Sequence, residues 1–301
     1  MIVVIGEILI DIFKNYQRIG GAPFNFAFHL KKLGFPVRFM TRVGNDQHGK
    51  GIIDMLEEKG FDSADVQIDP RHPTGTVRVD LDEKGIPHFD IRPNAAYDHL
   101  DLTIDPVLDE VGWEMVYFGT LIQRTDSGCH QVQRFLSCTN DSVTRFCDIN
   151  MRSPHVNVHA VAGSLESADL LKVNDEELAE IQHTLGGPIS KNDVIPWLME
   201  TFRITAVALT RGIHGSRFYS RDGQISIPAV TRTPIVDTVG AGDGYAAILA
   251  AGYMRQIPWE ETIRQASRFA ARLCGIPGAV PEGEDFYDDF RPLMKGKADG
   301  R

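Results

Sequence analysis

One stretch, Asp237 to Gly244 (DTVGAGDG), sets a carboxylate beside small residues at the start of an apolar run. Tyr245, Ile248, Leu249, Gly252 and Tyr253 then recur at i, i+3, i+4, i+7 and i+8, one face of a helix. Ala246, Ala247, Ala250 and Ala251 make the other faces small and apolar, so the helix is expected to be buried. Gly240, Ala241 and Gly242 would open backbone N–H groups at the positive end of the helix dipole, which suits an anion. Asp243 lies in the same first turn, where a carboxylate repels an anion unless it has a task. Two readings fit. Asp243 satisfies the helix start, or it takes a proton from a hydroxyl about to attack a phosphoryl group.

Other residues with chemical potential follow strand-like runs. Asn174-Asp175-Glu176-Glu177 opens a helix, with Asn174 placed as N-cap and Glu177 as its reciprocal partner. The same sparse Asn/Glu pair would suit Mg²⁺, which keeps several waters and takes few protein ligands. Thr210 to Ser216 (TRGIHGS) is a loop whose glycines let backbone approach phosphates closely. Neither a G-x-x-x-x-G-K-[ST] loop nor a G-x-G-x-x-G after the first strand occurs, against a P-loop ATPase and a nicotinamide enzyme alike. Cys129, Cys138, Cys147 and Cys274 lack C-x-x-C spacing, and the histidines lack metal-ligand spacing.

The elements that must position these residues alternate between strands and helices. Ile2 to Ile5 reads as a strand buried on both faces, as in a parallel sheet. Gly20-Gly21-Ala22-Pro23 leads into a helix through Leu33, with Gly34 as its stop. From Thr76 the texture changes: Val77, Val79 and Leu81 alternate with Arg78, Asp80 and Asp82. A turn at 82–85 returns the chain as an antiparallel hairpin with one wet face. After Trp113 short apolar strands recur, each ending in a polar residue: Thr120, Asn150, Asn174 and Thr210. Alternating strands and helices predict a doubly wound, mainly parallel α/β sheet with helices on both faces. Its ligands bind beyond the carboxyl ends of the strands, where those polar residues converge.

A net charge of −10 argues against a nucleic-acid partner held on a broad basic face. Glu7 and Asp11 interrupt the apolar N-terminus, so neither a signal peptide nor a membrane span is expected. Four scattered thiols suit a reducing cytoplasm. The last residues, 295–301, are expected to fray.

DTVGAGD closely resembles the signature of the ribokinase-like (PfkB) carbohydrate kinases, with Gly244 and Tyr245 where small and phenylalanine residues are usual. GGAPFNFAFHLKKLG resembles the family's N-terminal signature, and residues 73–98 resemble its fructokinase branch. The resemblance runs from about Met1 to Pro281. It implies a single ribokinase-like domain with a small antiparallel lid from about 11–20 and 74–98, the first piece being shortened. It implies Asp243 as catalytic base, with the amides of Gly240, Ala241 and Gly242 as the anion hole. Asp11, Gly20, Gly21 and Asn25 would hold the sugar, with Arg92 and Asn94 at its far end. Arg152 closes a D-x-N-x-R strand end that would steady phosphate charge. Asn174, Thr210, Gly212 and Gly215 would line ATP, and Glu177 would hold Mg²⁺ through water. Some relatives bind K⁺ near the loop matching Asp237. Where many relatives have Asn beside the adenine, this chain has Ala271. The activity implied is ATP-dependent phosphorylation of a sugar's primary hydroxyl, fructose first, with ribose, a nucleoside or a keto-deoxy sugar acid as alternatives. A sugar sensor without catalysis is the alternative of another class. The partners implied are the sugar, ATP and a second copy of the chain joined through the lid.

Overall fold

The computed structural model describes residues 1–81, 87–103, 112–151, 156–190, 192–230 and 234–291. The turn at 82–85, Arg152 and the tail 295–301 lie outside them. The chain opens with β1 (Ile2–Ile5), β2 (Leu9–Ile12), β3 (Gln17–Gly20) and α1 (Ala22–Lys32). There follow β4 (Val37–Gly44), α2 (Gln47–Glu58), β5 (Val66–Asp69), β6 (Gly75–Leu81) and β7 (Pro87–Ile91). The alternation then becomes regular, with β8 (Met115–Gly119), α3 (Asp126–Ser137), β9 (Thr144–Asp148), α4 (Val158–Ser167), β10 (Leu170–Asn174), α5 (Asp175–Leu185) and α6 (Val194–Phe202). It closes with β11 (Ala206–Thr210), β12 (Ser216–Ser220), β13 (Gly223–Ile227), α7 (Ala241–Met254) and α8 (Trp259–Leu273).

Two sheets form. The large one has the order β13-β12-β11-β10-β9-β8-β1-β4-β5 and is parallel from β11 to β5, with β12 and β13 antiparallel at one edge. The small one, β3-β2-β6-β7, carries the hairpin expected from the alternating stretch. Residues 9–12 join it as a strand paired to both β3 and β6, so the short N-terminal piece builds half of this sheet. The architecture is mixed α/β: a mainly parallel sheet flanked by helices, plus a small, largely antiparallel sheet.

Side-chain alternation splits the large sheet's two faces. Ile2 and Val4 pack with α1, α7 and α8, while Val3 and Ile5 pack toward α3, α4 and α6. Both faces are dry, which explains the unbroken apolar strands. Helix α7 is buried from Asp243 to Gly252. Tyr253 departs from the expected buried face; it is half-exposed, and its hydroxyl meets Thr144 Oγ1 at 2.9 Å. Helix α1 starts after Gly21 (φ 114°), with Pro23 in its first turn, and the chain turns out of it at Gly34 (φ 85°). Phe26 of α1 stacks on Tyr117 of β8 with centroids 3.7 Å apart, an aromatic pair worth ~0.5–1.5 kcal/mol beyond its burial. That contact fixes the helix that carries Asn25.

Candidate active site

Asp243 sits in the first turn of α7 and is buried. The turn depends on Gly240, which caps the helix at φ 76°. A Cβ there would also lie 2.2 Å from the Ala279 Cβ, so no larger residue fits. The first helical bond runs from the Gly244 N–H to the Gly240 carbonyl at 2.8 Å. The Ala241 amide makes a longer 3.3 Å bond to the Thr238 carbonyl, and the Gly242 amide has no partner among the described residues. Of the three amides expected to be open here, that of Ala241 is thus engaged within the turn.

Asp243 Oδ2 turns toward α1 and accepts from Asn25 Nδ2 at 2.7 Å. Asn25 is also buried, and its Oδ1 has no hydrogen-bond partner among the described residues. A buried acceptor left open next to a carboxylate is suited to a hydroxyl donor from a ligand. Gly21 stands where α1 meets the end of β1: a Cβ on it would press on the Glu7 carbonyl at 2.5 Å. The Asp11 carboxylate lies against Gly20, where an added Cβ would come within 2.3 Å of Oδ2. Asn25, Gly20, Gly21 and Asp11 therefore follow one another along the junction of lid and α1. Glu7, buried at the end of β1, belongs to the same junction.

Beneath α7 three polar side chains of the sheet, Tyr117, Asp148 and Lys172, form a linked chain. Tyr117 Oη donates to Asp148 Oδ2 at 3.0 Å, and Lys172 Nζ donates to Asp148 Oδ1 at 2.8 Å. Lys172 and Asp148 are register partners on the parallel strands β10 and β9, so they share a face. Burial, then the negative charges of Asp148 and Asp243, push the Tyr117 phenol well above its usual range. Sequence reasoning missed Lys172. Its signal was a lysine inside the apolar run LLKVN, which a strand buried on both faces cannot hold without a partner.

At the end of β10, Asn174 and Glu177 form the reciprocal cap. Asn174 N–H donates to Glu177 Oε2 at 2.9 Å and Glu177 N–H donates to Asn174 Oδ1 at 2.8 Å. Thr210 ends β11 in register with Asn174, and its hydroxyl reaches the Val173 carbonyl at 3.5 Å. Gly212 (φ 51°) and Gly215 (φ 80°) shape the loop beyond. Ile213 in this loop is 77% exposed, and Ile235 and Val236 ahead of Asp237 are 67% and 59% exposed. Asp237 fixes the segment before α7: it accepts from the Val239 N–H at 3.0 Å, the Gly278 N–H at 2.9 Å and Arg18 Nη1 at 3.5 Å. Ala271 is half-buried on α8.

The remaining expected residues stand apart. Arg92 is exposed; its amide donates to the Thr76 carbonyl and its own carbonyl accepts from Arg124 Nη2 at 2.7 Å. Asn94 occupies a left-handed turn at φ 53°, with Oδ1 against His99 Nε2 at 2.9 Å. No hydrogen bond among the described residues joins either to Asn25 or Asp243. Arg124, not singled out by sequence, lies inward of Arg92 and clamps Asp98 with bonds of 2.7 and 2.6 Å.

Residues 1–282 match the model of the pfkB family of carbohydrate kinases. The chain belongs to that family. It is accordingly a carbohydrate kinase, a phosphotransferase with an alcohol acceptor. This pfkB carbohydrate kinase is 26% identical to fructokinase-2 of rice (Oryza sativa subsp. japonica) over 308 residues, 93% of this chain and 90% of that one. The fold matches the crystal structure of an uncharacterized sugar kinase from Pyrococcus horikoshii in complex with ATP. The TM-score is 0.82 at 23% identity, covering 98% and 99% of the two chains. It also matches a fructokinase double mutant from Vibrio cholerae in a fructose-, ADP- and potassium-bound form. There the TM-score is 0.77 at 21% identity, covering 92% and 93%. No helix among the described residues is long and apolar enough to cross a membrane.

Proposed function

We propose that this kinase transfers the γ-phosphoryl group of ATP to a primary hydroxyl of a monosaccharide, with fructose the favoured acceptor. The observation that carries the reading is the 2.7 Å bond from Asn25 to Asp243, which joins the lid-side helix to the first turn of α7. A sugar hydroxyl entering there meets a carboxylate that can take its proton and an amide oxygen, Asn25 Oδ1, that still needs a donor. Asp11, Gly20 and Gly21 border the same junction and would hold the remaining hydroxyls. As the hydroxyl oxygen attacks phosphorus, its proton passes to Asp243 and the bond to the β-phosphate oxygen breaks, releasing ADP. The open Gly242 amide and its neighbours Gly240 and Ala241 would receive the charge on the transferring group.

ATP would lie beyond the carboxyl ends of β10 and β11. Thr210, Gly212 and Gly215 would follow its phosphates and ribose, and the exposed Ile213 of the same loop would border the base. Asn174 and Glu177 would hold Mg²⁺ through its waters, which would neutralise phosphate charge. Their capping bonds fit this, because they fix both side chains at the strand end. Ala271 supports a base held by shape. Arg152 would add charge near the phosphates.

The preference for fructose rests on the curated fructokinase relatives and on the lid. Arg92 and Asn94 stand at the lid's rim and would read the sugar's far end on closure. The test is kcat/KM across fructose, ribose, a keto-deoxy sugar acid and fructose 6-phosphate. A site built to bond a particular group rejects an analogue lacking it by ~10⁴ or more, so the values should separate widely. Arg92→Ala should narrow the gap through the favoured sugar. Fructose ranking below the others would remove the fructose assignment and leave the kinase.

A further inference from the structure

Lys172 is 4% exposed, and its ammonium is held between the sheet and the first turn of α7. Asp148 binds it at 2.8 Å from the neighbouring strand, and Tyr117 braces Asp148 from the strand beyond. The ammonium also reaches the anion-hole turn itself: a Cβ added to Gly242 would lie 3.1 Å from Nζ. Its charged neighbours are Asp148 from β9, Glu177 from α5 and Asp243 from α7. The ion pair with Asp148, buried on both sides, is the geometry of a charged ammonium.

A structural ion pair would need only Asp148. What the pair does not explain is a full positive charge packed against the one turn whose amides face an incoming phosphoryl group. That site already holds Asp243 and Glu177, so the approach of ATP sets negative charge against negative charge. We propose that Lys172 is a positioning residue for phosphoryl transfer. It is the fixed positive charge behind Gly242 that lets the anion hole accept the transferring group beside Asp243. The inference rests on the kinase reading above. Because the ammonium is already desolvated and oriented, its field acts without reorganisation as charge develops, and so favours the transition state over bound ATP.

Lys172→Met alone would leave Asp148 buried and uncompensated, so the decisive variant is Lys172→Met with Asp148→Asn. It replaces the pair by neutral groups of similar shape, an exchange that is often neutral for stability. The double variant should melt near the wild type and keep KM for sugar and ATP within about threefold, while kcat falls by ~10²–10³, the loss typical of a removed oxyanion-type stabiliser. Its affinity for ADP with aluminium fluoride, which mimics the transferring phosphoryl, should fall by a similar factor. Lys172→Arg, which keeps the charge, should recover at least ~tenfold of the lost kcat. A folded double variant with near wild-type kcat would overturn the inference. So would a Lys172→Arg enzyme as slow as Lys172→Met, or unchanged affinity for the phosphoryl mimic. A wild type that turns over no sugar would sink the kinase reading and this inference with it. An active wild type beside an unimpaired double variant sinks this inference alone.

Discussion

Replacing Asn25 by leucine removes one amide from the buried junction while keeping the side chain's volume. In the native structure that amide donates to the Asp243 carboxylate at 2.7 Å, both residues being shielded from water. A hydrogen bond to a charged group is worth ~1.5–3 kcal/mol. The bond favours the ionised carboxylate, so its loss makes the base harder to ionise. The base must be ionised to act, so the acid limb of kcat/KM for the sugar should move to higher pH. The leucine side chain also offers no acceptor to the incoming hydroxyl, so sugar KM should rise while ATP KM holds. The assay is coupled ADP release across pH at saturating ATP, with circular dichroism melting as the folding control. A folded Asn25→Leu enzyme with an unmoved acid limb and ordinary sugar KM would refute the assignment of this bond to the base.

Gly240→Ala forces a left-handed residue at ~1–2 kcal/mol and drives a Cβ into Ala279, so kcat should fall by ~10² with the displaced amides; steady-state kinetics of the folded variant checks this. Burial pushes the His29 imidazole down to about 3 from 6.5. The unfolded chain then binds a proton below about pH 6.5 that the native chain refuses, so stability falls as pH drops from there toward 3. Urea unfolding at about pH 5 should show ~2 kcal/mol less stability from this group than at neutral pH, a loss that His29→Gln should largely abolish. If a monovalent cation acts through the Asp237 loop, K⁺ should raise kcat above the value in a bulky organic cation; equal rates in both would remove the idea.

Much of this was legible before any coordinates, because the signals were local. A buried α7, the Gly240 turn, the Asn174–Glu177 cap and the alternating lid follow from period, glycine placement and short-range hydrogen bonding. What was not legible was long-range. Asn25 and Asp243 are 218 residues apart, and only the packing of α1 against α7 brings them together. The resemblance joined about 11–20 to 74–98, but the strand begins earlier, at Leu9, and its parallel pairing with Gly75 to Arg78 had no local signal. Lys172 was hidden because a run of apolar neighbours reads as a strand whatever single residue interrupts it. Arg92 drew attention as a charge near the lid, while Arg124, further along the chain, directs its charge inward onto Asp98. Polarity in a sequence does not say which way a side chain faces.

The central claim is that Asp243 is the base of a sugar kinase, and Asp243→Asn tests it most directly. The substitution keeps the shape of the side chain and removes its basicity. With fructose and Mg·ATP, kcat should drop by ~10²–10⁴, the range for loss of a general base, while calorimetric affinities for sugar and ATP stay close to those of the wild type. An Asp243→Asn enzyme that turns over at nearly the wild-type rate would contradict the account and leave Asp243 as no more than part of the helix start.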